Sequence, residues 1–329
     1  MLAAIARDRL AALLEAARGR RVAVVGDAML DVYLRGDVDR ISPEAPVPVL
    51  RVRERRDALG GAANVAQNVL AVDARCTLVA AVGGDAAGER LHALLAAQGG
   101  ATDALVTVGR PTTTKTRLVA RSQQLLRFDE EDDRDLDAED VARVSDTIAR
   151  TVADADAVVL EDYNKGVLVP AVIEQTVTLA TARGVPVVVD PKFRNFFAYR
   201  GATVFKPNRR ELEQALGAAV RLDDDDALPA TLERLDVQHL LLTLSEHGMA
   251  LVSRGGGITR IPTTAREVYD VVGAGDTVTA YLALMLAAGA DAREAAIVAN
   301  YAAGVEVGKL GAATVSADEV LAAYDDLHG

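Results

Sequence analysis

The chain has 329 residues, of which 50% are hydrophobic and only 4% aromatic, and its formal net charge is -12 at pH 7. This length suits one large or two small domains, and the negative charge argues against binding to nucleic acid or to an anionic membrane surface. A single cysteine, Cys76, excludes a disulfide framework within the chain. No apolar run has the length of a membrane span, so we expect a soluble, cytoplasmic protein.

Short apolar runs alternate with amphipathic segments along most of the chain. The runs are rich in Val, Leu and Ala, which is typical of strands in a parallel sheet that helices cover on both faces. The sequence therefore predicts an α/β fold with a doubly wound, mostly parallel sheet. In chain order the predicted elements are helix 2–17, strand 21–25, helix 65–72, strand 76–82, helix 86–97, helix 138–152, strand 156–160, helix 170–183, strand 185–189, strand 202–205, helix 208–216, helix 227–234, strand 238–243, strand 249–252, strand 258–261 and helix 278–288.

Two regions, 31–56 and 102–129, break this alternation. The first contains Pro43, Pro46 and Pro48, and the second has alternating β-branched stretches. We interpret both as antiparallel strands that are inserted into the α/β scaffold and form a small lid, which would exclude water from a transfer site. Ordinary surface hairpins are the alternative. A further acidic run at 223–226 is expected at a solvated helix start.

Charged side chains follow several predicted strands directly. Glu161 and Asp162 come after one strand, and Asp190 and Lys192 come after the next. Because ligands of doubly wound sheets bind beyond the carboxyl ends of the strands, we expect these groups to converge on one functional edge.

The segment Gly273-Ala274-Gly275-Asp276 lies between a predicted strand and a predicted helix. Small residues let the backbone approach a ligand, and the free N–H groups of a first helical turn favour an anion. A carboxylate beside such a site can accept a proton from an attacking hydroxyl during phosphoryl transfer. The alternative is that Asp276 only caps the helix.

Three further segments carry candidate binding groups. Gly60 and Gly61 precede a predicted helix on which Asn64 and Asn68 share one face, and such amides suit sugar hydroxyls. The other two segments, 206–211 and 243–248, each follow a strand. Each segment also has a purely structural interpretation. The glycine segment could be a plain loop before a helix, and 206–211 a capping box between Asn208 and Glu211. The segment 243–248 could be a strand-turn-strand unit.

Several common signatures are absent from the sequence. There is no Walker phosphate loop, no dinucleotide-binding glycine fingerprint and no nucleophile elbow. The four histidines have no metal-binding spacing, so a zinc site is disfavoured.

Taken together, the segments 60–64, 208–211 and 270–276 resemble the signatures of the ribokinase-like carbohydrate kinases, in matching order over nearly the whole chain. The segments 40–49, 115–117, 122–125 and 307–311 resemble, more narrowly, the D-glycero-β-D-manno-heptose 7-phosphate kinases. Val272 stands where relatives often have Thr, in a position that mainly contributes backbone.

The resemblance implies a three-layer α/β/α fold and ATP-dependent phosphorylation of the anomeric O1 of heptose 7-phosphate, in ADP-heptose and lipopolysaccharide core biosynthesis. Some relatives continue into a nucleotidyltransferase domain. This chain ends soon after Ser316, and we expect the kinase-only form, with Mg²⁺ as a cofactor and K⁺ as a further candidate.

The resemblance also implies roles for individual residues. Asp276 would be the base, and the N–H groups of Gly273, Ala274 and Gly275 would form the anion hole. Glu211 would hold Mg²⁺ through water, and Asp270 would hold a monovalent cation. The expected nucleotide site comprises Asn208, Glu211, Thr243, Ser245, Gly248, Asn300 and Ala303. The expected sugar site comprises Asp31, Gly60, Gly61, Asn64, Asn68, Lys115, Arg117, Glu161, Asp162 and Lys192. Glu161 or Asp162 could instead organise the metal. Candidates for the sugar phosphate are Lys115, Arg117, Arg121, Arg127 and Lys192.

A homodimer through the lid strands is the expected assembly, with the sugar phosphate and ATP as small-molecule partners. Three alternatives stay open at this stage. The chain could act on another sugar, such as fructose 1-phosphate or ribose, or be a non-catalytic sugar-phosphate sensor. A nicotinamide-dependent dehydrogenase is the third, although the fingerprint is missing.

Overall fold

The computed structural model describes residues 5–121, 123–221 and 227–328, which form two β-sheets and ten α-helices. The strands are β1 (Arg21–Gly26), β2 (Ala28–Ile41), β3 (Pro48–Gly61), β4 (Arg75–Gly83), β5 (Leu105–Val108), β6 (Thr114–Ala120), β7 (Gln123–Glu130), β8 (Ala157–Glu161), β9 (Val187–Asp190), β10 (Val204–Phe205), β11 (His239–Thr243), β12 (Met249–Ser253) and β13 (Ile258–Ile261). The helices are α1 (Arg7–Ala17), α2 (Ala62–Leu70), α3 (Ala86–Ala97), α4 (Ala138–Val152), α5 (Pro170–Ala182), α6 (Arg209–Leu216), α7 (Ala227–Leu235), α8 (Ala274–Ala287), α9 (Ala292–Glu306) and α10 (Ala317–His328).

The large sheet has the strand order β13-β12-β11-β10-β9-β8-β1-β4-β5. Its strands pair in parallel from β5 to β11, and only β12 and β13 run antiparallel to their neighbours. Alternate residues feed two hydrophobic cores, one on each face: Val22 and Val24 of β1 join one, and Ala23 and Val25 the other. The predicted doubly wound, mostly parallel α/β fold is therefore confirmed.

The second sheet, called the small sheet below, has the order β3-β2-β6-β7. The register places Tyr33 beside Arg117, and Arg117 opposite Arg127, so one face is polar. The neighbouring register positions pair Leu34 with Leu118, and Leu118 with Leu126, so the other face is apolar.

Two expectations about the small sheet are wrong. Strand β5 lies outside it, because Leu105–Val108 pairs in parallel with β4 and buries Val106 and Val108 in the core of the large sheet. A short β-branched stretch fits either place, and burial decides between them. Strands β2 and β6 pair in parallel and not antiparallel. Strand β3 and the α2-β4-α3-β5 segment lie between them in the chain, and this connection brings β6 back in the direction of β2.

Helix α1 begins at Arg7, and residues 1–4, Ser122 and the acidic run at 223–226 lie outside the described residues. Helices α9 and α10 were not predicted. Ten of the residues of α9 are buried, so its sequence lacks the polar face that makes a surface helix recognisable. None of the helices in the described ranges is long and apolar enough to cross a membrane.

Candidate active site

The carboxyl ends of β8 and β9 meet the first turn of α8. Gly273 caps this helix with φ 98°, a left-handed conformation that favours glycine. A Cβ atom at Gly273 would lie 3.0 Å from Asn64 Nδ2 and 3.1 Å from Glu306 Oε1. The turn is therefore packed tightly against α2 and α9, which leaves no room for a side chain at Gly273.

The backbone N–H groups of this turn are the natural anion-binding element. The Thr277 N–H donates to the Gly273 carbonyl at 2.9 Å, which closes the first helical turn. The N–H of Ala274, the first residue of α8, donates only a long hydrogen bond of 3.4 Å to the Val271 carbonyl. The N–H groups of a first helical turn lack intrahelical acceptors, so those at the start of α8 are available to an anion, and the helix dipole adds a positive potential there.

Asp276 lies in the same turn and is buried. Asn64 Nδ2 donates to Asp276 Oδ2 at 2.6 Å, and the Tyr163 hydroxyl donates to Oδ1 at 2.8 Å. Burial raises the pKa of Asp276 to about 6, although both hydrogen bonds act in the opposite direction. The carboxylate is therefore ionised near neutral pH and more basic than an ordinary aspartate, as a general base requires.

A second acidic group lies at the ends of β8 and β9. Glu161, Asp190 and Asp276 each have a carboxylate oxygen within 4.8 Å of the others. Glu161 is fully buried, and neither of its carboxylate oxygens has a hydrogen-bond partner in the part of the chain that the structure describes. Burial raises the pKa of Glu161 well above its ordinary value, and Asp190 and Asp276 add to this. Unpartnered carboxylate oxygens in a buried acidic group fit a divalent cation, which prefers oxygen ligands.

Lys206 supplies the positive charge of this cluster. Its Nζ lies 2.8 Å from Asp190 Oδ2, and its side chain is almost fully buried. Burial lowers the pKa of Lys206, but the carboxylates of Asp190 and Glu161 outweigh this and the net pKa is raised. A Cβ at Gly275 would lie 3.7 Å from this ammonium group, so the lysine is charged directly beside the anion-binding turn.

Of the predicted sugar-binding groups, several surround the start of α2. Gly61 caps α2 with φ 57°, and a Cβ there would collide with the Asp27 carbonyl. A Cβ at Gly60 would lie 2.9 Å from Asp31 Oδ2, so Asp31 sits directly beside this turn. Asn68 is buried and faces Thr277 of α8 at 3.4 Å, which indicates packing between helices for that amide.

The structure brings the predicted nucleotide-binding residues Asn208 and Glu211 together as a capping box. The Glu211 N–H donates to Asn208 Oδ1 at 2.8 Å, and the Asn208 N–H donates to Glu211 Oε2 at 2.9 Å. The other oxygen of Glu211 accepts from Lys192, which places Lys192 on this side and not at the small sheet. Thr243 forms a parallel bridge with Asn208.

The remaining predicted nucleotide groups lie farther along this edge. Ser245 is exposed in a 3-10 turn, and Gly248 closes that turn with φ 81°. Asn300 on α9 donates from Nδ2 to the Pro262 carbonyl at 2.8 Å, so it fixes the loop after β13. Ala303 follows one turn later and is half-buried. Gly248 and Asn300 thus both lie against Pro262, since a Cβ at Gly248 would be 2.7 Å from the Pro262 carbonyl carbon.

Three predicted substrate groups have protein partners. Lys115 pairs with Asp129 at 3.0 Å and with Glu131 at 3.2 Å. Arg117 donates to Asp31 Oδ1 at 2.7 Å. Asp162 accepts from the Tyr199 hydroxyl at 2.7 Å, and burial raises its pKa to about 6.

Asp270 joins the catalytic turn to the loop before α10. Its Oδ1 accepts from the Val272 N–H and its Oδ2 from the Gly311 N–H, both at 3.1 Å. Glu306 is buried near this point, and burial raises its pKa to about 8. Glu306 is therefore mostly protonated near neutral pH and adds little negative charge behind the turn.

Sequence reasoning gave no role to Tyr163 or Lys206. Lys206 stood inside the segment that was singled out at 206–211, and its position after a buried strand was the available signal. Tyr163 follows Glu161 and Asp162 at the end of β8, but only the fold shows that its hydroxyl reaches Asp276.

Comparison with known proteins gives a consistent result. The family model described as pfkB family carbohydrate kinase matches residues 20–319. A relative from Bordetella bronchiseptica, named D-beta-D-heptose 7-phosphate kinase, is 47% identical over 304 residues, which cover 91% of this chain and 95% of that protein. The bifunctional protein HldE of Gluconacetobacter diazotrophicus is 48% identical over 304 residues. That match covers 92% of this chain but only 63% of the length of that relative.

Solved structures with low sequence identity share the fold. Phosphofructokinase-2 from Escherichia coli superimposes with a TM-score of 0.78 at 20% identity, over 94% of this chain and 100% of that one. Ribokinase from Arabidopsis thaliana gives a TM-score of 0.72 at 21% identity, over 93% and 98% of the two chains. The ribokinase-like fold is therefore confirmed.

Proposed function

Because this chain belongs to the pfkB family of carbohydrate kinases, we propose that it transfers the γ-phosphoryl group of ATP to the anomeric O1 of D-glycero-β-D-manno-heptose 7-phosphate. The product would be the 1,7-bisphosphate, which enters ADP-heptose biosynthesis. The observation that carries the proposal is the buried, doubly hydrogen-bonded Asp276 in the first turn of α8, where helix N–H groups lack intrahelical acceptors. The relative named heptose 7-phosphate kinase, 47% identical over nearly its full length, supports the choice of sugar.

In this reaction O1 of the sugar attacks the γ-phosphorus, the bond from that phosphorus to the β-γ bridging oxygen breaks, and ADP leaves. Asp276 accepts the O1 proton late in the step, because a hydroxyl is far less acidic than a carboxyl with a pKa of about 6. The N–H groups of Gly273, Ala274 and Gly275 stabilise the charge on the transferring group. Lys206 lies beside them and adds a positive charge.

The other site residues are assigned to the nucleotide, the sugar and the cations. The nucleotide side of the site is formed by Asn208, Glu211, Thr243, Ser245, Gly248, Asn300 and Ala303. The sugar is held by Asp31, Gly60, Gly61 and Asn64. A divalent cation, which the family implies, neutralises charge on the ATP phosphates when bound. Glu161 and Asp190 are the carboxylates that fit it, and Glu211 would act through water. Asp270, with carbonyl groups near Thr314, would hold a monovalent cation.

A substrate panel tests this proposal. ADP release would be measured with Mg-ATP and, separately, heptose 7-phosphate, fructose 1-phosphate and ribose. We expect the highest kcat/KM with heptose 7-phosphate. A higher value with another sugar would contradict the assignment of the substrate, and no release with any sugar would contradict the kinase activity itself.

Tyr163 is expected to tune the base. Its hydroxyl stabilises the ionised form of Asp276 and so lowers the pKa of that carboxyl. Since the base must be ionised, activity should fall as the pH drops through about 6. Tyr163→Phe removes the donor to the charged carboxylate and should move this acidic limb of kcat/KM to higher pH by roughly 1 to 2 units.

Tyr199→Phe is the matched control for that measurement. The Tyr199 hydroxyl also donates to a buried carboxylate, that of Asp162, but not to Asp276. The control should leave the acidic limb in place. An unmoved limb in Tyr163→Phe, or a shift to lower pH, would show that Tyr163 does not tune the base.

A homodimer through the small sheet is part of this proposal. The apolar face of the sheet exposes Val52, Leu126 and Phe128, with 48%, 54% and 42% of their surfaces accessible. Such a patch on one sheet face suits a second copy of the chain.

Leu126→Asp combined with Phe128→Asp should convert a dimer to a monomer in sedimentation velocity. Phe193→Asp, at an exposed aromatic outside the sheet, should leave the dimer intact, and a dimer that survives the double change would refute this interface.

A further inference from the structure

A cavity of about 350 Å³ lies between the polar face of the small sheet and the loop at 310–312. It adjoins the catalytic turn, because Ala312 lines the cavity and its Cα would lie 3.2 Å from a Cβ at Gly273. Ala58, the cross-strand partner of Asp31, also lines it. The cavity therefore extends from the proposed sugar-binding side of the site, in the direction away from Asp276.

Three arginines line this cavity: Arg35 on β2, Arg56 on β3 and Arg121 at the end of β6. Within the described ranges none of the three forms an ion pair with a carboxylate. The Nε of Arg35 is buried and has no hydrogen-bond partner. A buried donor without a partner is costly, and an anionic ligand in the cavity would relieve this cost.

Most other cations of the small sheet differ in this respect. Lys115 is held by Asp129 and Glu131, and Arg117 is held by Asp31 at 2.7 Å. On the outer strand, Arg53 pairs with Asp37 at 2.9 Å. The pairing of these cations indicates that the unpaired arginines of the cavity are a local feature and not a general property of the sheet.

Two acidic residues lie close to the cavity without neutralising it. Glu54 stands opposite Arg35 in the register of β2 and β3, but no ion pair joins them. Asp270 lines the cavity, and both of its oxygens accept backbone N–H groups of Val272 and Gly311. The cavity thus carries excess positive charge in a chain whose net charge is -12.

We propose that Arg35, Arg56 and Arg121 form the binding site for a phosphate group at the end of the sugar remote from the hydroxyl that is phosphorylated. The guanidinium forks of arginine match phosphate oxygens in geometry and charge. The site selects phosphorylated sugars over neutral ones. Of the earlier phosphate candidates it keeps Arg121 and replaces Lys115, Arg117, Arg127 and Lys192. The inference rests on the proposed function, since it assumes a sugar kinase whose acceptor hydroxyl lies at Asp276.

The test compares heptose 7-phosphate with the same heptose lacking the phosphate, for the wild type, Arg56→Gln, Arg121→Gln and the double variant. Each single change should lower kcat/KM for the phosphorylated sugar by roughly 10- to 100-fold, the range for a hydrogen bond to a charged group. The value for the neutral heptose should stay within roughly 3-fold. A merely structural role would lower both values together and would overturn the proposal.

Arg53→Gln is the matched control, because Arg53 is an ion-paired arginine of the same sheet that does not line the cavity. It should change neither value. If the wild type acts on heptose 7-phosphate and the cavity variants keep the full preference for it, the phosphate site is wrong while the proposed function stands.

If the wild type releases no ADP with either sugar, the proposed function fails, and calorimetric titration with inorganic phosphate then decides the site separately. Phosphate binding that the wild type and Arg53→Gln show and the double variant lacks would support the site. Equal binding by all three proteins would overturn it.

Discussion

Asp276→Asn is expected to lower kcat by roughly 10²- to 10⁴-fold, the contribution of a well-placed general base. The amide has nearly the shape of the carboxylate but cannot accept the O1 proton. The hydrogen-bonding neighbours Asn64 and Tyr163 remain, so the turn should keep its geometry. Steady-state ADP release with saturating heptose 7-phosphate and Mg-ATP measures the effect.

Asp291→Asn serves as the control, because Asp291 caps the N-terminus of α9, and asparagine is about as good an N-cap residue as aspartate. Its kcat should match that of the wild type. A kcat within a factor of a few for Asp276→Asn, in a protein with unchanged thermal unfolding, would exclude Asp276 as the base.

Lys206→Met is expected to lower the free energy of unfolding by about 3 to 5 kcal/mol, the usual cost of removing one partner from a buried ion pair. Lys206 lies 2.8 Å from Asp190, both are buried, and Glu161 adds a further buried carboxyl group nearby. Methionine fills similar volume, so the loss of charge dominates the effect. Urea-induced unfolding measures it.

Arg254→Met is the comparison, because Arg254 forms an exposed pair with Asp236 at 2.8 Å. Surface pairs contribute about 0 to 1 kcal/mol, so this change should be small. A destabilisation by Lys206→Met that is no larger than that of Arg254→Met would mean that the acidic cluster does not depend on the lysine charge.

Much of the fold could be predicted from the sequence, because buried strands and glycine turns leave local patterns. Strand β1 and helix α3 appear at nearly their predicted bounds. The stretch 105–108 could not be placed, because a short β-branched run fits a hairpin or an edge strand, and only packing against β4 decides. Helix α9 was missed since it is buried on most sides.

The candidate site was predictable where its residues follow strands or open helices. Asp276 and Asn64 stood in recognisable segments, and the structure joins them by a hydrogen bond of 2.6 Å. The phosphate candidates depended on cross-strand partners that no local pattern reveals. Arg117 is neutralised by Asp31, whereas Arg35 has no ion-pair partner among the described residues, and only the register of the small sheet makes that difference visible.

The central claim is that this chain phosphorylates the anomeric hydroxyl of a sugar that already carries a phosphate. Phosphorus-31 NMR of the product formed from Mg-ATP and D-glycero-D-manno-heptose 7-phosphate tests it most directly. We predict two sugar phosphate resonances, one unchanged at position 7 and a new one coupled to the anomeric proton. A new phosphate on any other carbon, or a spectrum with only the original sugar phosphate, would contradict the claim.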